Sequence, residues 1–203
     1  MSTLPRLEAE VLSRNIIFDP PMTDEELERF CRRNGDVQIE RTSEGVVQLN
    51  APAGGLTGHG NSEIIRQLGN WWDTHQRGRI FDSSTGFFLP DGSLMCPDAA
   101  YAHPAQLHGL TKAELSRMPY LCPAFVIELL SATDSLSEAE VKMQRWIANG
   151  AQLGWLVDPY QQCVTVYEPG MATARIHSAA VHGSGPVDGF VLDVGKVWRC
   201  YQV

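Results

Sequence analysis

Two carboxylates and one lysine stand where they could carry out metal-assisted chemistry. Asp98 opens a short apolar run, and Glu128 is the only charge in the apolar run 124–130. Burying an unpaired carboxylate is costly, so Glu128 needs a metal ion or a lysine as its partner. Lys142 follows in the second turn of a helix predicted over 137–149. Two strands and a helix therefore offer oxygen ligands and a cation, the groups that hydrolysis of a phosphodiester requires.

The helix that carries Lys142 has start and stop signals of its own. Ser137 with Glu140 forms the pattern of a capping box, and Asn149-Gly150 ends the helix. A second aspartate that follows a proline, Asp91, competes with Asp98. Its glycine neighbour puts Asp91 at the tip of a predicted hairpin, whereas Asp98 begins a strand that can lie beside the Glu128 strand. We therefore choose Asp98.

The order of these groups resembles the PD-(D/E)XK nuclease superfamily and, within it, the Uma-two (Uma2) family of restriction endonuclease-like proteins. The likeness covers roughly residues 23–169. Its motifs are Pro97-Asp98, the strand Val126-Ile127-Glu128-Leu129-Leu130-Ser131, Lys142 on the next helix and Gly154-Trp155-Leu156-Val157-Asp158. The resemblance implies an α/β (α+β) fold with a restriction-endonuclease-like mixed β-sheet core flanked by helices. It also implies metal-dependent cleavage of DNA.

The resemblance further implies a role for each site residue. Asp98 and Glu128 would bind Mg²⁺ or Mn²⁺ together with the backbone carbonyl of Leu129. Lys142 would orient the attacking water and stabilise developing negative charge.

One position departs from the superfamily pattern. Leu130 stands two residues after Glu128, where a lysine is commoner, and the family resembled here takes its lysine from the following helix. This is why Lys142 is chosen. The alternative is that Lys142 is a solvated helix residue paired with Glu138 four residues earlier.

Two further glutamates are candidates. Glu40 lies in a predicted hairpin over 37–49, where the residues alone favour a solvated strand carboxylate. The resemblance favours a functional glutamate there, holding a second metal ion or an outer water. Glu63 lies in the first turn of a predicted helix, where a carboxylate complements the helix N-terminus. Superfamily members often carry an acidic residue on this helix near the metal, so Glu63 is a candidate ligand.

Two segments give weaker signals. Residues 52–60 contain four glycines without the ending of a phosphate-binding loop, which predicts a flexible connection before a helix capped by Asn61 or Ser62. Residues 190–194 and 197–201 have the pattern of a terminal hairpin.

Composition predicts a single domain over residues 23–203, preceded by an N-terminal arm over 1–22. The five cysteines are far apart and form no Cys-x-x-Cys, which favours reduced thiols over disulfides or structural zinc. The sequence has no basic segment joined to a long apolar one and no run of about 18 apolar residues. We therefore expect a cytoplasmic protein that does not enter a membrane.

The net charge of −8 argues against strong nucleic-acid binding. Binding of DNA should be weak or conditional, unless a homodimer built through the arm and the terminal hairpin enlarges the surface. Three other functions stay open. They are a catalytically silent nuclease-fold module that binds nucleic acid or protein, an assembly module, and a hydrolase of another phosphoester.

Overall fold

The computed structural model of the protein describes residues 13–202, so most of the predicted N-terminal arm lies outside the described residues. The strands are β1 (Ser13–Ile16), β2 (Gln38–Arg41), β3 (Val47–Asn50), β4 (Arg79–Asp82), β5 (Phe87–Phe88), β6 (Leu94–Met95), β7 (Ala99–Ala102), β8 (Phe125–Leu129), β9 (Leu153–Asp158), β10 (Cys163–Tyr167), β11 (Ala174–Ile176), β12 (Ala180–His182) and β13 (Val191–Asp193). The α-helices are α1 (Asp24–Arg33), α2 (Gly55–His75), α3 (Pro104–Leu107), α4 (Lys112–Leu115), α5 (Leu136–Ala148) and α6 (Val194–Arg199). A short 3-10 helix (Gly185–Val187) precedes β13.

A six-stranded mixed sheet forms the centre of the protein. Its strand order is β11-β10-β9-β8-β7-β4. β8 and β9 are parallel, and the other pairs of this sheet are antiparallel. Parallel neighbours need a crossover connection, which α5 supplies between β8 and β9. The predicted mixed sheet with flanking helices is confirmed.

The two faces of this sheet are covered by different helices. On β8, Phe125, Ile127 and Leu129 pack in one apolar cluster with Ile64 and other residues of α2 and α6. The alternate residues pack in a second cluster with Met143 and Trp146 of α5. Because side chains alternate along a strand, Glu128 faces α5. The helix that carries Lys142 thus covers the face that carries Glu128.

Two smaller sheets complete the fold. A five-stranded sheet has the order β1-β3-β2-β6-β5, and it contains the predicted hairpin as β2 and β3. β1, which lies within the predicted arm, pairs with β3. β12 and β13 form a separate two-stranded sheet. Within the described residues, no helix is long and apolar enough to span a bilayer.

Three local predictions were wrong. The glycine-rich residues 55–60 are helical and form the first turns of α2, which approaches Leu129 of the central sheet at Gly60. The predicted terminal hairpin is instead β13, which pairs with β12, followed by α6. Finally, α5 begins after Ser135 and not at Ser137, and no side chain caps its N-terminus.

Candidate active site

Asp98 and Glu128 lie side by side on adjacent antiparallel strands. Ala99 of β7 pairs with Ile127 of β8, so the register places Asp98 opposite Glu128. The backbone N–H of Leu129 donates to Asp98 Oδ2 over 2.7 Å, which fixes this carboxylate at the end of β8. The fold therefore brings together two carboxylates that are 30 positions apart in the sequence.

Lys142 points from α5 into this site. Its ammonium lies 3.1 Å from Glu128 and 3.0 Å from Glu40 Oε1, and it donates to the carbonyl of Cys96 over 2.9 Å. Among the described residues, Glu138 forms no ion pair with Lys142. The side chain is 27% exposed, so the ammonium is largely withdrawn from water.

Glu40 enters the site from the neighbouring sheet. Its Oε1 accepts from the N–H of Cys96 over 2.8 Å, and its Oε2 accepts from Asn50 over 3.0 Å. Cys96 follows β6 and precedes Asp98 by two residues, so its backbone links the two sheets at this point. Glu40 is therefore fixed next to Lys142 by Asn50 of β3 and by the backbone that follows β6.

Asn61 of α2 holds the other side of Asp98. Its Nδ2 donates to Asp98 Oδ1 over 2.7 Å, while its buried Oδ1 has no hydrogen-bond partner among the described residues. Gly60 makes this approach possible, because a Cβ there would lie 2.8 Å from the Leu129 side chain. Gly60 thus allows α2 to come close to the end of β8.

The electrostatics of the site follow from an imbalance of charge. The pKa of Glu128 is raised to about 8, chiefly by burial and further by Asp98 and Glu40, although Lys142 acts to lower it. Burial likewise raises the pKa of Asp98. For Lys142, burial acts against the charge, but the nearby carboxylates outweigh it and raise the pKa. Lys142 is therefore held as a cation that several carboxylates share.

The other predicted residues lie in different surroundings. Glu63 forms an ion pair with Arg66 and accepts from Gln67, and no contact joins it to Asp98 or Glu128 within the described residues. Asp91 accepts from the backbone and hydroxyl of Ser93, as expected of a turn residue. The backbone N–H of Leu129 is used by Asp98. The metal roles predicted for Glu63 and for the Leu129 carbonyl stay predictions.

Sequence reasoning missed three groups of the site. Trp146 donates from Nε1 to Glu128 Oε1 over 2.8 Å, Asn61 binds Asp98, and the Cys96 backbone binds both Glu40 and Lys142. Trp146 had a signal, because it lies four residues after Lys142 and so on the same side of α5. Asn61 and Cys96 carry no signal of their own, since their partners are distant in sequence.

Comparison with known proteins gives the same family as the sequence motifs. Residues 24–194 match the Uma2 family, described as "Putative restriction endonuclease". The chain belongs to the Uma2 family. A search of curated proteins gives no match.

A solved structure shares the Uma2 fold seen here. It is a crystal structure from Anabaena variabilis described as "a putative nuclease belonging to DUF820". It is 20% identical to this chain, with a TM-score of 0.68 over 80% of this chain and 90% of that one. At this identity the likeness establishes the fold, and the chemistry of the Uma2 site has to be argued from its own residues.

Proposed function

We propose that this Uma2 protein is a divalent-cation-dependent endonuclease that hydrolyses phosphodiester bonds of DNA. The observation that carries the proposal is that Glu40 and Glu128 both contact the ammonium of Lys142, while Asp98 lies next to Glu128 on the adjacent strand. In their ionised forms, three carboxylates beside one ammonium leave excess negative charge in a partly buried site. A divalent cation would neutralise that excess, which gives the site a reason to bind one.

The ligand set fits Mg²⁺ or Mn²⁺. Mg²⁺ takes one or two protein carboxylates and fills its remaining positions with water, and Asp98 and Glu128 supply the two carboxylates. The Leu129 carbonyl is the proposed third oxygen. Among the residues that the structure describes, no three acidic, histidine or cysteine side chains gather to hold a metal by themselves. A bound cation would therefore have to keep most of its water.

When bound, the cation would supply a water molecule of lowered pKa near the scissile phosphate. Side chains of the protein would stabilise charge and position the reacting groups. Lys142 provides a fixed positive charge that stabilises the negative charge developing on the phosphate. Glu40 holds the ammonium in place from the neighbouring sheet, and Trp146 orients Glu128 by donating to the oxygen Oε1.

One observation favours the silent alternative. The Lys142 ammonium lies directly between Glu40 and Glu128, so the lysine itself serves as their counter-ion. A protein of this kind would bind nucleic acid or a protein partner without cutting it.

Incubation with labelled single- and double-stranded DNA in Mg²⁺, Mn²⁺ or EDTA distinguishes the endonuclease from the silent module. We expect cleavage by the parent with either metal and none in EDTA. Asp98→Asn should remove cleavage, whereas Asp91→Asn, which changes the other aspartate that follows a proline, should retain it. Cleavage that persists in EDTA or in Asp98→Asn contradicts the proposal. Intact DNA under every condition supports the silent module.

We also propose a homodimer, because an acidic monomer offers little surface to nucleic acid. The proposal now rests on charge alone, since the predicted terminal hairpin is a strand and a helix. Light scattering at tens of micromolar should give the dimer mass, and a monomer mass would contradict it.

A further inference from the structure

A cavity of about 420 Å³ opens where the parallel strands β8 and β9 end. Its walls include Leu130, Ser131, Asp134, Leu136, Tyr160 and Arg175. Leu130 follows Glu128 by two residues, so the cavity begins next to the proposed catalytic residues. Ligands of open α/β sheets commonly bind outside the carboxyl ends of parallel strands, which is the position of this cavity.

A chain of contacts joins the cavity to Asp98. Tyr160 meets Tyr201 at a ring-centroid distance of 5.7 Å and an interplanar angle of 76°. The Tyr201 hydroxyl lies 3.1 Å from the place that a Cβ at Gly60 would take. Gly60 precedes Asn61, which binds Asp98. This chain of contacts connects Tyr160 to Asn61, which binds Asp98 at the proposed metal site.

The chemistry of the cavity suits a neutral, flat group better than a phosphate. Tyr160 is 50% exposed and Leu136 is 36% exposed, so the cavity offers apolar surface to a ligand. Two carboxylates lie in its wall, Asp134, which accepts from Ser131, and Asp158, which accepts from the turn after β9. They repel a phosphate but not an uncharged ring. Arg175 is the cation in the cavity wall.

Tyr160 differs from the other large exposed tyrosine. Tyr120 is 62% exposed, but its ring stacks on Phe88 at 4.8 Å and its hydroxyl donates to Asp24. Tyr160 stacks on no aromatic ring among the described residues, because its contact with Tyr201 is nearly perpendicular. Tyr160 therefore keeps ring surface for a ligand.

We propose that this cavity binds an unstacked nucleobase of a single-stranded nucleic acid, next to the bond to be cut. The base stacks on Tyr160, and Arg175 contacts an adjacent phosphate. This inference rests on the proposed nuclease function. Stacking would add affinity to the phosphate contacts that an acidic chain can make.

The test compares two single strands of equal length and phosphate number, one of thymidine and one abasic. Fluorescence anisotropy is measured with the full chain in Ca²⁺, and a gel confirms that the strands stay intact. We expect the thymidine strand to bind about 10- to 100-fold more tightly than the abasic strand, the range expected for base stacking on an aromatic ring. Tyr160→Ala should abolish this preference, and Tyr160→Phe should keep it.

Tyr120→Ala is the matched control, and it should keep the full preference for thymidine. Equal binding of the two strands by the parent, no binding of either, or a preference that survives in Tyr160→Ala overturns the inference. Metal-dependent cleavage by a parent that shows no base preference would leave the proposed function standing. A base preference without any cleavage would overturn the nuclease proposal alone.

Discussion

Buried carboxylates occur at two places in this protein, and their electrostatic surroundings are opposite. Glu28 of α1 is 4% exposed and pairs with Arg32 and Arg117, which also donates two hydrogen bonds to it from Nε. At the proposed active site, the charge ratio is reversed. Several carboxylates there share the one ammonium of Lys142.

The difference separates a structural ion pair from a site that can accept a further cation. Hydrogen bonding from Arg117 lowers the pKa of Glu28. Burial raises the pKa of Glu128 to about 8, because the positive charge nearby does not compensate for burial and for the neighbouring carboxylates. A balanced pair stabilises the fold by itself, whereas the unbalanced cluster is costly to the fold unless a cation or a proton is added.

The largest expected effect comes from removing the shared ammonium. Lys142→Ala should lower the rate of DNA cleavage about 10²- to 10³-fold, because a positioned charge at the phosphate is lost. Binding of Mn²⁺ should stay nearly intact, since the lysine is not a ligand. Gel-based cleavage rates and calorimetry measure the two quantities. Lys196→Ala is the control, because Lys196 forms an exposed ion pair with Asp193.

Moving the charge sharpens this prediction. Leu130→Lys combined with Lys142→Leu should restore part of the cleavage, because Leu130 packs with Trp146 on the face that carries Glu128. Rescue should be incomplete, since a lysine would replace an apolar side chain that is 5% exposed. If Lys142→Ala cuts DNA as fast as the parent, Lys142 has no part in the reaction.

The next effect concerns Asn61, which holds Asp98 without being a proposed ligand. Asn61→Ala should weaken Mn²⁺ binding about 10- to 100-fold, the usual cost of losing an outer hydrogen bond to a ligand. Calorimetry measures the affinity. Asn149→Ala removes an equivalent amide that donates to Asp91 over 3.0 Å away from the site, and it should bind Mn²⁺ as the parent does. Equal losses in both variants would mean that the effect is not local.

A smaller effect is expected at the balanced pair. Glu28→Gln should lower the free energy of unfolding by about 1–3 kcal/mol at neutral pH, through the loss of hydrogen bonds to a charged group. The pKa of Glu28 is lower in the folded chain, so its contribution is present above its ordinary pKa of 4.5 and is lost as the pH falls through the folded value. Urea unfolding should therefore depend less on pH below 4.5 in Glu28→Gln.

Glu25→Gln is the control for that experiment, because Glu25 is exposed on the same helix. It should change the free energy of unfolding by only a few tenths of a kcal/mol. A loss equal to that in Glu28→Gln would mean that the pair with Arg117 adds no stability of its own.

The last effect has the opposite pH dependence. Because the pKa of Glu128 is raised in the folded chain, the unfolded chain releases this proton first, and stability in EDTA falls as the pH rises from 4.5 towards about 8. Glu128→Gln has no titrating carboxyl at this position. Its free energy of unfolding relative to that of the parent should therefore increase as the pH rises. Urea unfolding in EDTA at several pH values measures the trend. A relative stability that does not change with pH would contradict it.

The sequence predicted the parts of the site whose signals are local. Glu128 stands alone in an apolar run, and Asp98 opens a strand. The resemblance to the Uma2 family chose Lys142 over the commoner position at Leu130. The structure brings the lysine to Glu128.

The rest depends on packing between distant segments. Glycines at 55, 58 and 60 favour a loop by local propensity, but the close approach of α2 to Leu129 requires the glycine at 60 and makes the segment helical. Residues 194–199 form a helix that packs against α2, a contact that no local pattern encodes. Asn61 was missed for the same reason, because its importance comes from Asp98 across the sheet.

The central claim is that only the unbalanced cluster binds a divalent cation. Titration of Mn²⁺ into the parent, Glu128→Gln and Glu28→Gln by calorimetry tests it directly, since each variant removes one buried carboxylate charge. We predict that the parent and Glu28→Gln bind Mn²⁺ with the same affinity and that Glu128→Gln loses most of it. Equal Mn²⁺ affinity in all three proteins, or no binding by the parent, would contradict the account.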